Sequence, residues 1–416
     1  MVFKVSQYEY FNYIYDFYKK EVVFNPRLLN LKNHDILDIG IQEFLEKGVK
    51  NKIIDGIELL ENAHNYIFEE QIIKKNIELN IPTEIISLEK FNPSELREDL
   101  FNIIFNHYNN DDIDLVISGG VDSSLLLAVL ADANWLHKVR LWTTKTPEGN
   151  DYYFAKKSAD SVGVKLNVVE VNYESDFDFN ILKESANLNL GPANIGVIPL
   201  SFVGNAVKNV GGTCLMHGIA GETVSLSIYR GLEENYLQSL FRDRKYIKLF
   251  NQSLNLKKIN KIKDILSVIF KYKNILDYDI NYLHMYHLCC DTVKNDTSRV
   301  RNNIEVSGIN SFTPYFNKAL DKYMIMEMEG RFNQKISKIT SRLAMNKIID
   351  DEVVWRNDDQ GLRWDPKKYI RFHKSTTDAF LKKYFKEKKS NLGDVNARYL
   401  RHLEVAALYA LMDINN

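Results

Sequence analysis

Short apolar runs alternate with stretches of helical periodicity in the middle of the chain. Four runs rich in β-branched, aliphatic or aromatic residues predict strands, over residues 112–118, 138–146, 165–173 and 212–218. Three stretches with apolar residues at helical spacing predict helices, over residues 123–133, 150–163 and 197–210. Strands and helices that alternate in this way indicate an α/β fold with a parallel sheet covered by helices on both faces.

The flanking regions have different patterns. Residues 1–107 mix short apolar alternation with charge, which predicts a small N-terminal α+β domain. Near its end, Ser94 is expected to cap a helix that runs toward Tyr108. The chain after about residue 235 is rich in Lys, Asn and aromatic residues and predicts a helical C-terminal extension. We therefore expect two domains, over residues 1–107 and 108–412.

One turn in the middle region has an unusual composition for a buried segment. The sequence "SGGVDSS", residues 118–124, follows a predicted strand and opens a predicted helix. Gly119 and Gly120 allow a tight turn and a close approach of the backbone to a ligand. The N–H groups at the start of the helix form a nest for an anion. Asp122 would repel a bare phosphate, so we expect a divalent cation beside it. The Walker lysine pattern is absent, which indicates a different kind of phosphate loop.

Composition narrows the classes of function. Lys and Arg number 54 against 55 Asp and Glu, which gives no support for a general nucleic-acid binder. The three cysteines, Cys214, Cys289 and Cys290, lack metal-type spacing and predict a reduced, cytoplasmic protein. Residues 1–20 lack the apolar core of a signal peptide, and no segment reaches the ~18 apolar residues of a membrane span. We expect neither nucleic acid nor a membrane as partner.

The turn and several later segments resemble one known superfamily. "SGGVDSS" is similar to the signature of the PP-loop ATP pyrophosphatases, which cleave ATP between its α- and β-phosphates. Further segments resemble the synthetase domain of asparagine synthetases and of their relatives, the β-lactam synthetases and lasso-peptide cyclases. These segments are "GNDYYFAKKSADSVGVKLNVVEVN", "GGTCLMHGIAGETVSL", "DTSRVRNNIEV", "SKITSRLAMNKIIDDEVVWRNDDQG" and "RYLRHLEVAALYAL". Asp296 and Glu305 in the third segment keep the family's separation. The resemblance covers about residues 108–412.

The resemblance implies a role for each matching position. The β,γ-pyrophosphate of ATP would be held by Ser118, Gly119, Gly120, Ser123 and Ser124. Mg²⁺ would be held by Asp122 and Glu222, the latter standing where the family usually has aspartate. The adenosine would be framed by Val116, by Thr143 or Thr144, and by the backbone of Gly218. The cofactors implied are therefore ATP and Mg²⁺.

Two interpretations are open for each of Lys338, Arg356 and Arg363. Lys338 matches the family lysine that stabilises charge on the α-phosphate and pyrophosphate, and Arg342 matches the arginine that follows it. The alternative for Lys338 is a solvated lysine on a helix surface. Arg356 and Arg363 would bind phosphate or an acidic substrate, or would form surface salt bridges.

The departures from the family bear on the substrate. Ile219 stands where the family has its catalytic glutamate, which argues against plain asparagine formation. His217, whose ordinary pKa is near neutrality, is one candidate for a substitute general base, and Glu222 is another. A satisfied structural role for His217 is the alternative. Ser307 and Asp358 replace an arginine and a lysine, so the substrate side has less positive charge.

The sequence thus predicts an AMP-forming ligase that adenylates a carboxylate for attack by an amine. Residues 1–107 lack the N-terminal cysteine of a glutaminase. The nitrogen would come from free ammonia, a partner protein or an amine of the substrate itself. The acyl substrate would be a small molecule or a peptide. The alternatives are a PP-loop enzyme that modifies a nucleobase or tRNA, and a non-catalytic relative that binds ATP as a switch.

Overall fold

The N-terminal region forms two small antiparallel sheets and one helix. The computed structural model describes residues 2–5, 13–47, 53–60, 64–69, 72–77, 88–175, 178–221, 298–324, 338–356, 364–385 and 394–413. The N-terminal elements are β1 (Val2–Val5), β2 (Tyr13–Asp16), β3 (Glu21–Val23), α1 (Asp38–Lys47), β4 (Ile57–Leu60), β5 (His64–Glu69) and β6 (Ile72–Ile77). The strand orders are β1-β5-β6 and β3-β2-β4, with all pairs antiparallel. The predicted α+β character of this region is confirmed.

The middle of the chain forms a five-stranded parallel sheet. Its elements in chain order are α2 (Pro93–Tyr108), β7 (Ile113–Val116), α3 (Val121–Asp132), β8 (Val139–Lys145), α4 (Asp151–Val162), β9 (Leu166–Glu170), α5 (Phe179–Asn189), α6 (Ile198–Asn209), β10 (Cys214–Met216), α7 (Ser298–Glu305) and β11 (Asn310–Phe312). The strand order is β11-β10-β7-β8-β9, and every adjacent pair is parallel. Each predicted strand and helix of this region is present, and the predicted fold class is confirmed.

Helices follow the sheet to the end of the described chain. They are α8 (Asp321–Met324), α9 (Ile339–Met345), α10 (Asp351–Val354), α11 (Pro366–Phe372), α12 (Lys374–Tyr384) and α13 (Ala397–Leu411). Their number and length confirm the predicted helical extension. Within the described ranges, no helix has the length and apolar character needed to cross a bilayer.

Alternation along the strands distributes apolar side chains to two cores. Leu141 joins the core formed with α2, α3 and α9, whereas its neighbour Trp142 joins the core formed with α6 and α7. On β10, Met216 joins the core with α3, and its neighbour Leu215 joins the core with α6 and α7. Successive strand residues point to opposite faces, so both faces of the sheet are covered. This accounts for strands that read as continuous apolar runs.

The start of α2 differs from the sequence prediction. Asn92, rather than Ser94, is the N-cap, and its side chain accepts a hydrogen bond from the Ser94 N–H at 3.1 Å. Pro93 occupies the first helical position, where its missing N–H costs nothing. Ser94 therefore lies inside the first turn. Buried side chains of α2 share a core with α3, and the domain boundary at residues 107 and 108 stays a prediction.

The strand order creates a crevice next to β7. From β7 the chain moves outward to β8 and β9 on one side, and then returns to β10 on the other side. The loops that leave the carboxyl ends of β7 and β10 therefore diverge in direction. Ligands of open α/β sheets bind at such a reversal point, outside the carboxyl ends of the strands.

The N-terminal region shares a hydrophobic core with the C-terminal helix. Ile41 and Phe44 of α1 belong to the same buried cluster as Leu403 of α13 and Leu182 of α5. The Arg401 guanidinium also donates to the Leu45 carbonyl at 2.9 Å. The two ends of the sequence therefore stabilise one another.

This shared core predicts a large effect of truncating Phe44, which is 3% exposed. Phe44→Ala should reduce the free energy of unfolding by about 3–5 kcal/mol, because it removes a buried aromatic side chain and leaves a cavity. Ile39→Ala on the same helix is the control, since Ile39 is 71% exposed. Denaturant unfolding followed by circular dichroism measures both. Equal effects of the two variants would contradict the shared core.

Candidate active site

The predicted ligand-binding turn lies in the crevice between β7 and β10. It is here named the glycine turn and comprises residues 117–120, between β7 and α3. The Ile117 N–H donates to the Trp142 carbonyl at 2.8 Å, which anchors the turn to β8. Gly120 is the N-cap of α3 and has no side chain with which to cap it. The first N–H groups of a helix lack intrahelical partners, so this end of α3 suits an anion.

Gly119 is required by both backbone conformation and packing. Its φ is +66°, in the left-handed region that favours glycine. A Cβ at residue 119 would lie 2.3 Å from the Phe154 Cβ and 2.5 Å from the Ala155 N. The turn is therefore pressed directly against α4, and a side chain at residue 119 would displace it.

Two serines connect the turn to the first turn of α3. The Ser118 N–H donates to the Ser123 Oγ at 3.3 Å, and the Gly120 N–H donates to the Ser118 Oγ at the same distance. The Ser123 hydroxyl also donates to the Gly120 carbonyl at 3.2 Å. These distances are at or beyond the long limit of ordinary hydrogen bonds. Such weak contacts are readily exchanged for stronger ones to phosphate oxygens.

Ser124 has a different environment from Ser118 and Ser123. It is fully buried, and its Oγ lies 3.1 Å from the Ser158 Oγ on α4. The Ser158 hydroxyl donates to the Phe154 carbonyl at 3.0 Å. The Ser124 N–H donates to the Gly120 carbonyl at 3.0 Å. Ser124 thus ties α3 to α4. Its contact with pyrophosphate stays a prediction, and a contact through its hydroxyl would compete with Ser158.

Asp122 and Lys338 form an ion pair at the mouth of the turn. The Lys338 ammonium donates to the Asp122 carboxylate. Lys338 has a φ of +58° immediately before α9, and its side chain is 20% exposed. The Tyr315 hydroxyl donates to the Asp122 carbonyl at 2.6 Å and fixes the backbone here. Lys338 is therefore not a solvated surface lysine, and the structure places it on the carboxylate predicted to bind metal.

The surroundings of Asp122 fit a divalent cation. The Lys338 ammonium binds one oxygen of this carboxylate, so a cation would share the carboxylate with Lys338 or displace it. A Cβ at Gly221 would lie 2.3 Å from the Asp122 Cγ, so the loop after β10 lies closely against the carboxylate. Among the described residues no three His, Cys, Asp or Glu side chains cluster as a metal site. Mg²⁺ commonly uses one or two carboxylates together with substrate phosphates, which a single carboxylate beside an anion nest can provide.

His217 is enclosed by the protein. It is 3% exposed, and burial lowers the pKa of its imidazole to about 3. Its Nδ1 lies 3.3 Å from the Ile219 N–H, from which it accepts a hydrogen bond. A general base works best with a pKa near the operating pH. The geometry therefore favours the structural interpretation, in which His217 shapes the loop after β10.

The loop after β10 approaches the start of α3. A Cβ at Gly218 would lie 2.6 Å from the Ser123 N, so this glycine permits the contact. The Ile219 carbonyl accepts a hydrogen bond from the Thr313 hydroxyl at 2.6 Å. The Ile219 side chain packs against the core that contains α3. An apolar side chain thus occupies the position of the family glutamate.

Of the predicted adenosine residues, Gly218 lies in the loop after β10, and the others lie on β7 and β8. Val116 is half-buried at the carboxyl end of β7, beside the glycine turn. Thr143 and Thr144 are buried near the end of β8. The Thr143 Oγ1 has no hydrogen-bond partner within the described part of the chain. Their contacts with adenosine stay predictions.

Several predicted residues lie outside the described ranges. They are Glu222, Asp296, Asp358 and Arg363. Ser307, which replaces a family arginine, is described and buried. A Cβ at Gly204 of α6 would lie 2.0 Å from the Ser307 Oγ, so the missing side chain of Gly204 makes room for Ser307.

The structure identifies contacts that sequence reasoning missed. Arg356 is 5% exposed, which excludes the surface salt bridge, one of its two predicted interpretations. Its guanidinium donates to the Gly119 carbonyl at 3.0 Å. Tyr315 and Phe154, which also support the turn, had no assigned role. Tyr315 follows β11 at the carboxyl edge of the sheet, and that position was the available signal.

A separate cleft of about 700 Å³ lies at the opposite, amino edge of the sheet. Its lining includes Asp112, Arg140 and Cys214. Burial raises the pKa of the Cys214 thiol to about 11, so the reactive thiolate is disfavoured. This cleft contains none of the predicted site residues.

Comparison with known proteins places the chain in a family. Residues 112–411 match the family described as Asparagine synthase. No curated protein matches the chain. Among solved structures, 85 chains match. One is the glutamine-dependent NAD⁺ synthetase from Acinetobacter baumannii in complex with ADP, with 14% identity and a TM-score of 0.23. That match covers 40% of this chain and 31% of the other, so the chain spans about a third of that relative.

The family match includes the glycine turn, Asp122, the loop after β10 and Lys338. It covers well over half of the sequence, from β7 to the last helix. The chain therefore belongs to the asparagine synthase family.

Proposed function

We propose that this protein activates a carboxylate with ATP and joins it to an amine as an amide, releasing AMP and pyrophosphate. The observation that supports this most strongly is the arrangement at the glycine turn. The helix N-terminus of α3, the Asp122 carboxylate and the Lys338 ammonium converge there. Such a site binds a polyphosphate and offsets its charge.

Each group has a part in this reaction. The N–H groups of the turn and the hydroxyls of Ser118 and Ser123 bind the β- and γ-phosphates. The Lys338 ammonium stabilises the negative charge that develops on the departing pyrophosphate. Asp122, together with Glu222, would hold Mg²⁺, which neutralises phosphate charge when bound. An oxygen of the substrate carboxylate attacks the α-phosphorus as the α–β phosphate bond breaks, so pyrophosphate leaves and AMP stays bonded to the carboxylate oxygen.

The amine step differs from asparagine formation. Ile219 provides no carboxylate to handle ammonia, and the pKa of His217 is too low for an efficient base near neutral pH. Residue 307 is a buried serine, so it provides no cation for an acidic amino acid. We propose that the nucleophile is an amine already present on the substrate, or ammonia delivered by a separate protein. The acyl substrate would be a small molecule or a peptide, and the reaction cytoplasmic.

The acceptor identifies the reaction. Purified protein with Mg·ATP should be tested against amino acids with ammonia, and against carboxyl-bearing peptides and amines. We expect AMP release with one acceptor, together with a product that is one water lighter than its precursors by mass spectrometry. ATP binding without AMP release across both panels would contradict the proposal. It would favour the non-catalytic switch, with Ile219 as the reason.

Asp122 should be essential for turnover. Asp122→Asn should lower pyrophosphate release at least ~100-fold, because it removes the charge that holds the cation and pairs with Lys338. Asp112→Asn is the control, since Asp112 lies in the cleft at the opposite edge of the sheet. A coupled pyrophosphate assay measures both variants. Unchanged release from Asp122→Asn would remove the metal assignment.

A structural role for His217 predicts a particular pH dependence of stability. Its folded pKa is lowered, so below about pH 6.5 the unfolded state takes up a proton that the native state does not. The free energy of unfolding should therefore fall relative to His217→Gln as pH decreases, approaching ~1.4 kcal/mol per pH unit. Urea unfolding from pH 7.5 to pH 5 measures the difference. A constant difference, with an acid limb of the rate profile lost in His217→Gln, would instead indicate a catalytic base.

A further inference from the structure

A buried arginine contacts the glycine turn from the side of α4. The Arg356 guanidinium donates to the Gly119 carbonyl at 3.0 Å, in a contact between residues far apart in the sequence. Its side chain is 2% exposed. Hydrogen bonds from a charged donor are stronger than those between neutral groups. The Gly119 carbonyl is therefore held firmly in one direction.

Arg356 is itself held on several sides. Its Cζ lies 3.8 Å from the centroid of the Phe154 ring, and its Nη2 lies 3.9 Å from the Asp151 Oδ1. The buried Arg342 guanidinium donates to the Val354 carbonyl and, at 2.9 Å, to the Arg356 carbonyl. The guanidinium of Arg356 is thus fixed by α4, and its backbone is fixed by α9.

The held carbonyl determines the direction of the next N–H group. In a planar trans peptide, the C=O of one residue and the N–H of the next point in opposite directions. The Gly119 carbonyl points to Arg356, so the Gly120 N–H points away from Arg356 and toward the Ser118 Oγ. The glycines make this peptide easy to rotate, since neither has a Cβ that restricts it. Without an anchor, the N–H would be lost from the anion nest.

We infer that Arg356 is a positioning residue that fixes the Gly119–Gly120 peptide so that the Gly120 N–H is presented to the pyrophosphate group of ATP. This inference rests on the proposed function, because it assigns an anion to the glycine turn. Arg356 contacts the turn at the Gly119 carbonyl, on the side opposite to the Gly120 N–H, so in this inference it does not bind the phosphates itself. Its positive charge alone is therefore insufficient, and the direction of its N–H donors is what matters.

Replacing Arg356 should affect phosphate affinity more than adenosine affinity. Arg356→Met leaves the Gly119 carbonyl without its charged donor, and the affinity for Mg·pyrophosphate and Mg·ATP should fall about 10- to 100-fold. Affinity for adenosine should be unchanged, since it does not use the Gly120 N–H. Arg356→Lys keeps the charge and should lose less, about threefold to tenfold. Isothermal titration of the full chain with pyrophosphate, ATP and adenosine measures all three.

Arg97→Met is the matched control. Arg97 also donates to a backbone carbonyl, that of Ala344 at 2.9 Å, but away from the glycine turn. It should lower the Tm without changing the ratio of pyrophosphate to adenosine affinity. If Arg356→Met does not fold, the ratio measured for Arg356→Lys decides the question.

Three outcomes would overturn the inference. If both Arg356 variants bind pyrophosphate with wild-type affinity, that result by itself would overturn the inference. Equal losses of pyrophosphate and adenosine affinity, together with a lower Tm, would indicate a merely structural role. Wild-type protein that binds neither ATP nor pyrophosphate would overturn the proposed function as well, which distinguishes the two failures.

Discussion

The candidate site depends on the close contact between the glycine turn and α4. Gly119 adopts a left-handed φ and has no space for a Cβ between the turn and Phe154. This contact brings the start of α3, Arg356 and the loop after β10 to one side of the sheet. Because β10 lies next to β7 in the sheet, the loop after β10 places Gly218 directly against the first turn of α3. The geometry of the site is therefore a consequence of strand order and of two glycines.

Charge is arranged around this turn in two layers. At the mouth, Asp122 and Lys338 neutralise one another and are partly exposed, so they can exchange partners when a charged ligand enters. Behind the turn, Arg356 and Asp151 are buried, and their contacts are directed at the protein itself. Buried ion pairs are held by several hydrogen bonds because desolvation of each charge is costly. The pair at the mouth can therefore bind a charged ligand, whereas the buried pair keeps the backbone of the turn rigid.

Local sequence signals predict four of the five strands of the sheet, three of its helices and the glycine turn, because each depends on residues close together in the chain. The edge strand β11 lies in the region predicted to be helical. The roles that depend on distant contacts were less accessible. The sequence leaves Arg356 open between a ligand-binding role and a surface salt bridge, because nothing nearby in the sequence shows that it reaches Gly119. Ser124 looked like its neighbours Ser118 and Ser123, but its position on the helix turns it toward Ser158. The sequence favours Ser94 as the N-cap of α2, but Pro93 takes the first helical position, which leaves Asn92 as the cap.

The most direct test of the central claim is to determine which bond of ATP is broken. Turnover of Mg·ATP with an accepted carboxylate should be followed by ³¹P nuclear magnetic resonance, using a carboxylate labelled with ¹⁸O. The account predicts AMP and pyrophosphate in equal amounts, with one ¹⁸O atom transferred to the AMP phosphate. ADP and inorganic phosphate, or AMP without the label, would contradict adenylation of the carboxylate.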